Sequence, residues 1–259
     1  MLPVVELKEI THAYLGDREA NLAIENLNLT VGAGEFISLV GPSGCGKTTI
    51  LSIIAGLLPP SRGEVLLSGR TVTGPSPEVG YMLQQDYLFP WRTIQDNVLL
   101  GLELTGRLTG SSRAQSLQLL ADMGLEGKER AYPAQLSGGM RQRVALVRTL
   151  ATDPRLLLLD EPFSALDYQI KLQLEDLVSE TLMRRGTTAI LVTHDLSEAI
   201  AVSSRVILLQ RNPGRVRKVF HVPDAIRSTP PLYARDLPGF AELFHEIWKE
   251  MELAGRDEM

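Results

Sequence analysis

The chain of 259 residues carries 44% apolar and 22% charged side chains, an ordinary globular composition with room for one large α/β domain and an insertion. A formal net charge of −5 and a pI near 5.5 argue against nucleic-acid binding by bulk electrostatics. One cysteine excludes an internal disulfide framework and suits the cytoplasm, and no apolar run approaches the roughly 18–20 residues that span a bilayer. The N-terminal Met-Leu-Pro-Val-Val-Glu shows no signal-peptide pattern, so any membrane role is expected to run through a partner.

Residues 4–10 and 24–30 alternate apolar and polar side chains, the pattern of half-exposed antiparallel strands. An apolar run at 36–40 leads into Gly41-Pro42-Ser43-Gly44-Cys45-Gly46-Lys47-Thr48, and a helical pattern follows Thr49 through residue 55. Short strands are expected at 63–68 and 79–83. Residues 88–151 turn to helical periodicity and read as an inserted subdomain. Leucines fill 156–159, apolar on both faces as in the middle of a parallel sheet. A helix at 168–184, a strand at 189–193, a helix at 195–202 and a strand at 206–210 continue the α/β rhythm. Residues 223–238 read as a Pro-rich linker before an amphipathic helix at 240–253. The expected fold is an α/β phosphate-loop core (1–87 and 152–222) with a mixed, largely parallel sheet and an antiparallel β subdomain. The helical insertion (88–151) and a C-terminal segment (223–259) complete it.

Gly41 to Thr48 is a complete G-x-x-x-x-G-K-[ST] loop between a strand and a helix, the context this motif requires. A chance match in a chain this long has a probability of roughly 1%. The glycines let backbone N–H groups close round a polyphosphate, and the following helix points its positive end at the same anion. Lys47 is placed to reach the β- and γ-phosphates of a nucleoside triphosphate, and Thr48 to ligate Mg²⁺. Asp160 and Glu161 end the leucine strand, at the edge where parallel sheets bind ligands. There Asp160 suits Mg²⁺, and Glu161 suits orienting and deprotonating an attacking water. His194 ends the next strand at that edge, and Gln84 after the 79–83 strand can bridge metal or water. Alone, each of these is as readily a solvated strand end; the phosphate loop shifts the balance. His12, His221 and His245 have no such context.

Ser137-Gly138-Gly139 opens another helical run and makes a second anion-binding terminus. A chain that already grips a triphosphate at Lys47 has no obvious use for two. The economical arrangement is a head-to-tail pair, Ser137 of one chain capping the γ-phosphate held by the other. A plain N-cap is the bland alternative.

Together these motifs resemble the ATP-binding subunit of ATP-binding-cassette transporters, over about residues 4–215. Gly41 to Thr48 corresponds to the Walker A loop, Leu156 to Glu161 to the Walker B strand with its catalytic glutamate, and Leu136 to Gln142 to the signature. Ser164 to Asp167 corresponds to the D-loop, Gln84 to the Q-loop and His194 to the H-loop; Met140 departs from the commoner Gln. The resemblance implies ATP and Mg²⁺ as cofactors, Tyr14 stacked on adenine, and Asp167 at the nucleotide. It also implies a second copy or a paralogous ATPase as partner, a membrane permease, an extracytoplasmic substrate-binding protein, no nucleic acid, and residence on the cytoplasmic face of the membrane. Leu88-Phe89-Pro90-Trp91, the signature, and Asn212-Pro213-Gly214-Arg215 with the tail look like importers of nitrate, sulfonate, taurine or bicarbonate. Some of that group take thiamine- or riboflavin-related precursors. Two rivals stay open: a small-molecule kinase on a phosphate-loop fold, and a soluble cassette ATPase acting on DNA or ribosomes.

Three further expectations concern single segments. Cys45 sits beside a helix start and Lys47, which favour a thiolate, although a small residue that fits the loop is the plainer reading. Phe240, Leu243, Phe244, Ile247, Trp248 and Met251 form one apolar stripe, expected to pack on the chain's own core, with a subunit or regulatory contact as the alternative. The aromatic segment from Gln85 to Trp91 is either a buried hinge or a groove wall for a permease helix.

Overall fold

The structure, a computed structural model, describes residues 3–15, 20–164 and 166–256. Ala165, inside the expected D-loop, lies outside them. The first half contains β1 (Val5–Leu15), β2 (Ala20–Val31), β3 (Phe36–Val40), α1 (Lys47–Ile54), β4 (Arg62–Leu67), β5 (Arg70–Thr71) and β6 (Val79–Met82). A helical stretch follows: α2 (Ile94–Leu104), α3 (Gly110–Asp122) and α4 (Gly138–Leu150). The α/β rhythm then resumes with β7 (Leu156–Asp160), α5 (Tyr168–Arg185), β8 (Thr188–Val192), α6 (Leu196–Val202), β9 (Arg205–Gln210) and β10 (Arg215–His221). Three helices end the chain: α7 (Asp224–Arg227), α8 (Pro231–Ala234) and α9 (Phe240–Arg256).

The strands form two sheets, an antiparallel one ordered β2-β1-β4-β5 and a mixed one ordered β10-β9-β3-β8-β7-β6. In the mixed sheet only β10 runs antiparallel to its neighbour. The leucines of β7 show why its sequence does not alternate. Leu156 and Leu158 join the core shared with α1 and the antiparallel sheet, while Leu157 and Leu159 join the core under α2, α4 and α5. Both faces are covered by apolar side chains, so the four positions before Asp160 are all leucine.

Besides the two-residue β5, two regions differ from the sequence reading. β10 was not expected, because a register shift between Val216 and Lys218 breaks its alternation. Residues 223–238 do not form a bare linker: Pro230 and Pro231 start α8, where a missing N–H costs nothing, and Ile226, Pro231 and Ala234 are buried.

Helix α9 packs on α6 and β9, with Phe240, Ile247 and Ala254 buried and Leu243, Phe244 and Met251 half-buried. Trp248 departs from the expected stripe: it is 46% exposed and stacks on Phe244. Burying a large apolar side chain contributes about 1.5–3 kcal/mol, so removing the stripe uncovers a costly surface over Leu196, Ile200 and Leu208. Deleting residues beyond Pro238 is expected to cause aggregation on heating or concentration. A truncated chain that stays soluble with an unchanged melting temperature would contradict the packing.

Candidate active site

Parallel pairing brings four strand ends level. Leu39 and Asp160 both register with Val192, and Met82 registers with Leu159. The residues that follow, Gly41, Glu161, His194 and Gln84, therefore emerge at one edge of the sheet. At that edge the loop before α1 is tightly built. A Cβ on Gly41 would sit 2.6 Å from the Leu209 carbonyl oxygen, a backbone atom that cannot move aside. Gly46 caps α1 at φ 91°, and no side chain caps the helix start. The first-turn N–H groups are thus free to meet an anion. Lys47 Nζ donates to the carbonyls of Gly41 (2.8 Å) and Pro42 (3.0 Å) and folds back across the loop.

Gly41, Ser43, Gly44, Gly46, Lys47, Thr48 and Thr49 join Tyr14, Glu161 and His194 in lining an open cleft of about 750 Å³. Pro42 and Cys45 contribute backbone to the loop without lining the cleft. The Cys45 side chain is fully buried in the core, and burial pushes its thiol up, against the pull of Lys47 3.6 Å away. Burial thus opposes the thiolate that a helix start favours. Tyr14 also lines the cleft, its hydroxyl 3.1 Å from Thr49 Oγ1. Sequence reasoning missed its support: His12, dismissed as bland, is buried edge-on to the Tyr14 ring at 4.8 Å. It also missed Arg211 and Asn212, which line the same cleft.

Glu161 stands at the centre with φ 48°, a left-handed backbone that a non-glycine residue adopts at a cost of about 1–3 kcal/mol. Its N–H donates to the Val192 carbonyl at 2.9 Å, and its own carbonyl accepts from the Ser164 hydroxyl at 3.0 Å. These bonds hold the turn and aim the carboxylate into the cleft. Gln84 Nε2 donates to Oε2 at 3.0 Å, and His194 Nδ1 lies 3.5 Å from Oε1. Asp160, buried beneath, has its pKa raised by burial and by the neighbouring Glu161 charge, against the Thr48 hydroxyl and Lys47. Beside it burial and the Asp160 charge push the Tyr81 hydroxyl up to about 12, and this hydroxyl meets no partner in good hydrogen-bond geometry. The structure thus brings Lys47, Thr48, Gln84, Asp160, Glu161 and His194 together.

Four expected residues stand apart. Ser137 caps α4, accepting from the Met140 N–H at 3.3 Å, with Gly138 and Gly139 in the first turn. Asp167 caps α5, accepting from the Ile170 N–H at 3.1 Å. None of Ser137, Gly138, Gly139 and Asp167 lines the cleft. Helix α4 also braces the chain after Gln84, which no local sequence pattern announces. Gln142 donates to the Gln84 carbonyl at 3.4 Å, and Arg141 pairs with Asp86 at 2.9 Å. Arg148 donates to the carbonyls of Asp86 (2.7 Å) and Tyr87 (2.9 Å).

The family model described as ABC transporter matches residues 24–164, a span that runs from β2 through the phosphate loop and α4 to Glu161 and Ser164. The chain belongs to the ABC transporter family. It is 51% identical over 247 residues to an uncharacterized ABC transporter ATP-binding protein, YtlC, of Bacillus subtilis, covering 95% of both chains. It is 44% identical over 208 residues to the taurine import ATP-binding protein TauB of Escherichia coli, covering 80% of this chain and 81% of that protein. A solved dimer of the ATP-binding cassette MJ0796, in a post-hydrolysis state bound to ADP and Pi, superposes with a TM-score of 0.76. It is 34% identical and covers 85% of this chain and 99% of that one. This ABC transporter subunit is an ATP-binding ATPase coupled to transport, on a phosphate-loop α/β fold. Among the described residues no helix is long and apolar enough to cross a membrane.

Proposed function

We propose that two copies of this ABC subunit close head to tail around two ATP molecules and drive import of a small anion through a separate membrane permease, at its cytoplasmic face. The observation that carries the reading is the separation of the two anion-gripping helix starts. Helix α1 opens on the cleft of Lys47, Glu161 and His194, whereas Ser137, Gly138 and Gly139 at the start of α4 lie outside it. A two-fold axis can set each α4 start over the other copy's cleft, and Asp167 at the start of α5 would then meet the shared nucleotide. The solved dimer of the cassette MJ0796 supports the pairing of two copies.

In that arrangement the loop from Gly41 to Thr49 wraps the phosphates, Lys47 neutralises the β- and γ-phosphates, and Tyr14 stacks on adenine. Glu161 takes the proton of the attacking water, Gln84 holds the carboxylate in place, and His194 positions the nucleophile. Thr48, Asp160 and Gln84 offer hydroxyl, carboxylate and amide oxygens, the hard donors that suit Mg²⁺, and a buried carboxyl held up by burial and a like charge gains from a cation. When bound, the ion neutralises charge on the phosphate oxygens. The likeness to TauB puts taurine among the candidates, beside other sulfonates, nitrate and bicarbonate, delivered by an extracytoplasmic binding protein.

The aromatic segment after Gln84 is the proposed contact with the permease, and residues 88–151 the helical subdomain that carries it. Trp91 is 71% exposed, with the Phe89 ring 5.2 Å away, which favours a groove wall over a buried hinge. Asn97 clamps Phe89, accepting from its N–H at 2.7 Å and donating to its carbonyl at 3.1 Å. Gln84 ties the segment to Glu161, so closure on ATP can move the contact. Trp91→Ala is expected to lower co-purified permease about tenfold or more while ATP affinity stays within about twofold, as for an aromatic anchor at an interface. Unchanged permease recovery would return Trp91 to an ordinary surface residue.

A further inference from the structure

A chain of buried and half-buried charges runs from the C-terminal segment to the residue beside His194. Asp195, next in sequence, caps α6 by accepting from the N–H groups of Ser197 (2.8 Å) and Glu198 (3.2 Å). Lys171, in the first turns of α5, donates to Asp195 Oδ2 and Glu198 Oε2, both at 2.7 Å. One turn along α5, the fully buried Glu175 pairs with Arg235, just past α8, at 2.5 Å. Arg235 also donates to the Pro231 carbonyl at 2.6 Å, and Asp176 accepts from the Leu232 N–H at 2.9 Å, so the segment is tied to α5 twice.

This cluster sets three carboxylates, Glu175, Asp195 and Glu198, against two cations, Lys171 and Arg235. Glu175 Oε1 and Glu198 Oε1 have no hydrogen-bond partner, so each of these carboxylates depends on the cation at its other oxygen. Burial and the neighbouring carboxylates push Glu198 up to about 7, against the pull of Lys171. Without Arg235, Glu175, already pushed up by burial, either takes a proton or keeps only Lys171 as a compensating cation; in the second case Lys171 is shared with Asp195 and Glu198 and its hold on Asp195 loosens.

We propose that Arg235 is a positioning residue for ATP hydrolysis: by neutralising Glu175 it leaves Lys171 on Asp195 and so fixes His194 at the cleft. The inference rests on the role proposed above for His194. It makes the segment after β10 part of the catalytic apparatus, although it lies across α5 and α6 from the nucleotide cleft.

The test is steady-state hydrolysis by the full chain carrying Arg235→Met, Glu175→Gln, both, or Arg235→Lys. Arg235→Met is expected to lower kcat about tenfold with the KM for ATP within about twofold, a misplacement effect. Arg235→Lys restores most of the loss. Glu175→Gln in the Arg235→Met background also restores kcat, because a neutral side chain no longer draws Lys171. A role confined to stability predicts that the melting temperature falls in Arg235→Met and recovers in the double variant while kcat per folded molecule stays unchanged throughout; a double variant as impaired in kcat as the single one contradicts the charge relay. Either result overturns the proposal, and the double variant carries the test should Arg235→Met alone fail to fold. His194→Ala separates the two readings. Undiminished hydrolysis there contradicts the role of the histidine itself. Hydrolysis lost there and kept in Arg235→Met overturns only the role of the tail.

Discussion

Glu161→Gln is expected to bind ATP normally and to lose about 10²–10⁴-fold in hydrolysis, the usual cost of removing a general base. The amide keeps the shape and the left-handed turn at φ 48° but cannot take a proton. It also keeps a partner for Gln84, because a carboxamide oxygen still accepts from Nε2 where the carboxylate does now at 3.0 Å. Binding and the fold should therefore survive while chemistry stops. With hydrolysis blocked, the ATP-bound dimer accumulates. Gel filtration with Mg-ATP should show a species of twice the monomer mass, which disappears when ATP is omitted. Turnover within about threefold of the unsubstituted chain would contradict the role of Glu161 as base.

Lys47→Ala should act one step earlier, at binding. Removing one partner of a buried charge-assisted contact costs about 2–5 kcal/mol, which raises the Kd for ATP by roughly 30- to 5,000-fold. Two effects add here. The ammonium no longer meets the β- and γ-phosphates, and the loop loses the bonds that draw the Gly41 and Pro42 carbonyls together at 2.8 and 3.0 Å. Lys47→Arg is not expected to rescue, because a planar guanidinium does not fit where a compact ammonium folds back across the loop. Isothermal titration with ATP measures both variants. An affinity within about threefold of the unsubstituted chain would remove Lys47 from the site.

The sheet edge that gathers the site was legible because each strand there is short, apolar and followed at once by a chemically distinctive residue. Leucines at 156–159 fix both the burial of β7 and the emergence of Asp160 and Glu161 at its end. The same logic fails for β10, whose bulge at Val216 and Lys218 hides the period of two, and for α8, whose prolines read as a linker although they start a helix. Contacts between distant side chains leave no local pattern at all. Arg148 holding the Asp86 and Tyr87 carbonyls, and Arg235 reaching Glu175, join residues 62, 61 and 60 positions apart. Residue type names the chemistry and suggests the head-to-tail pair; the fold adds that Ser137 stands outside the cleft that Lys47 lines.

That last point is open to a mixing experiment. Lys47→Ala disables the phosphate loop, and Ser137→Arg blocks the α4 start, so each variant alone should be inactive. In a two-fold head-to-tail dimer built from one copy of each, both lesions fall in one site and the other site is intact. Mixed in equal amounts, the two inactive proteins should recover roughly a quarter of the unsubstituted turnover, half the dimers being mixed and each carrying one working site. A mixture as inactive as its components, at concentrations where the unsubstituted chain turns over, would place Ser137 and Lys47 in the same site of the same chain.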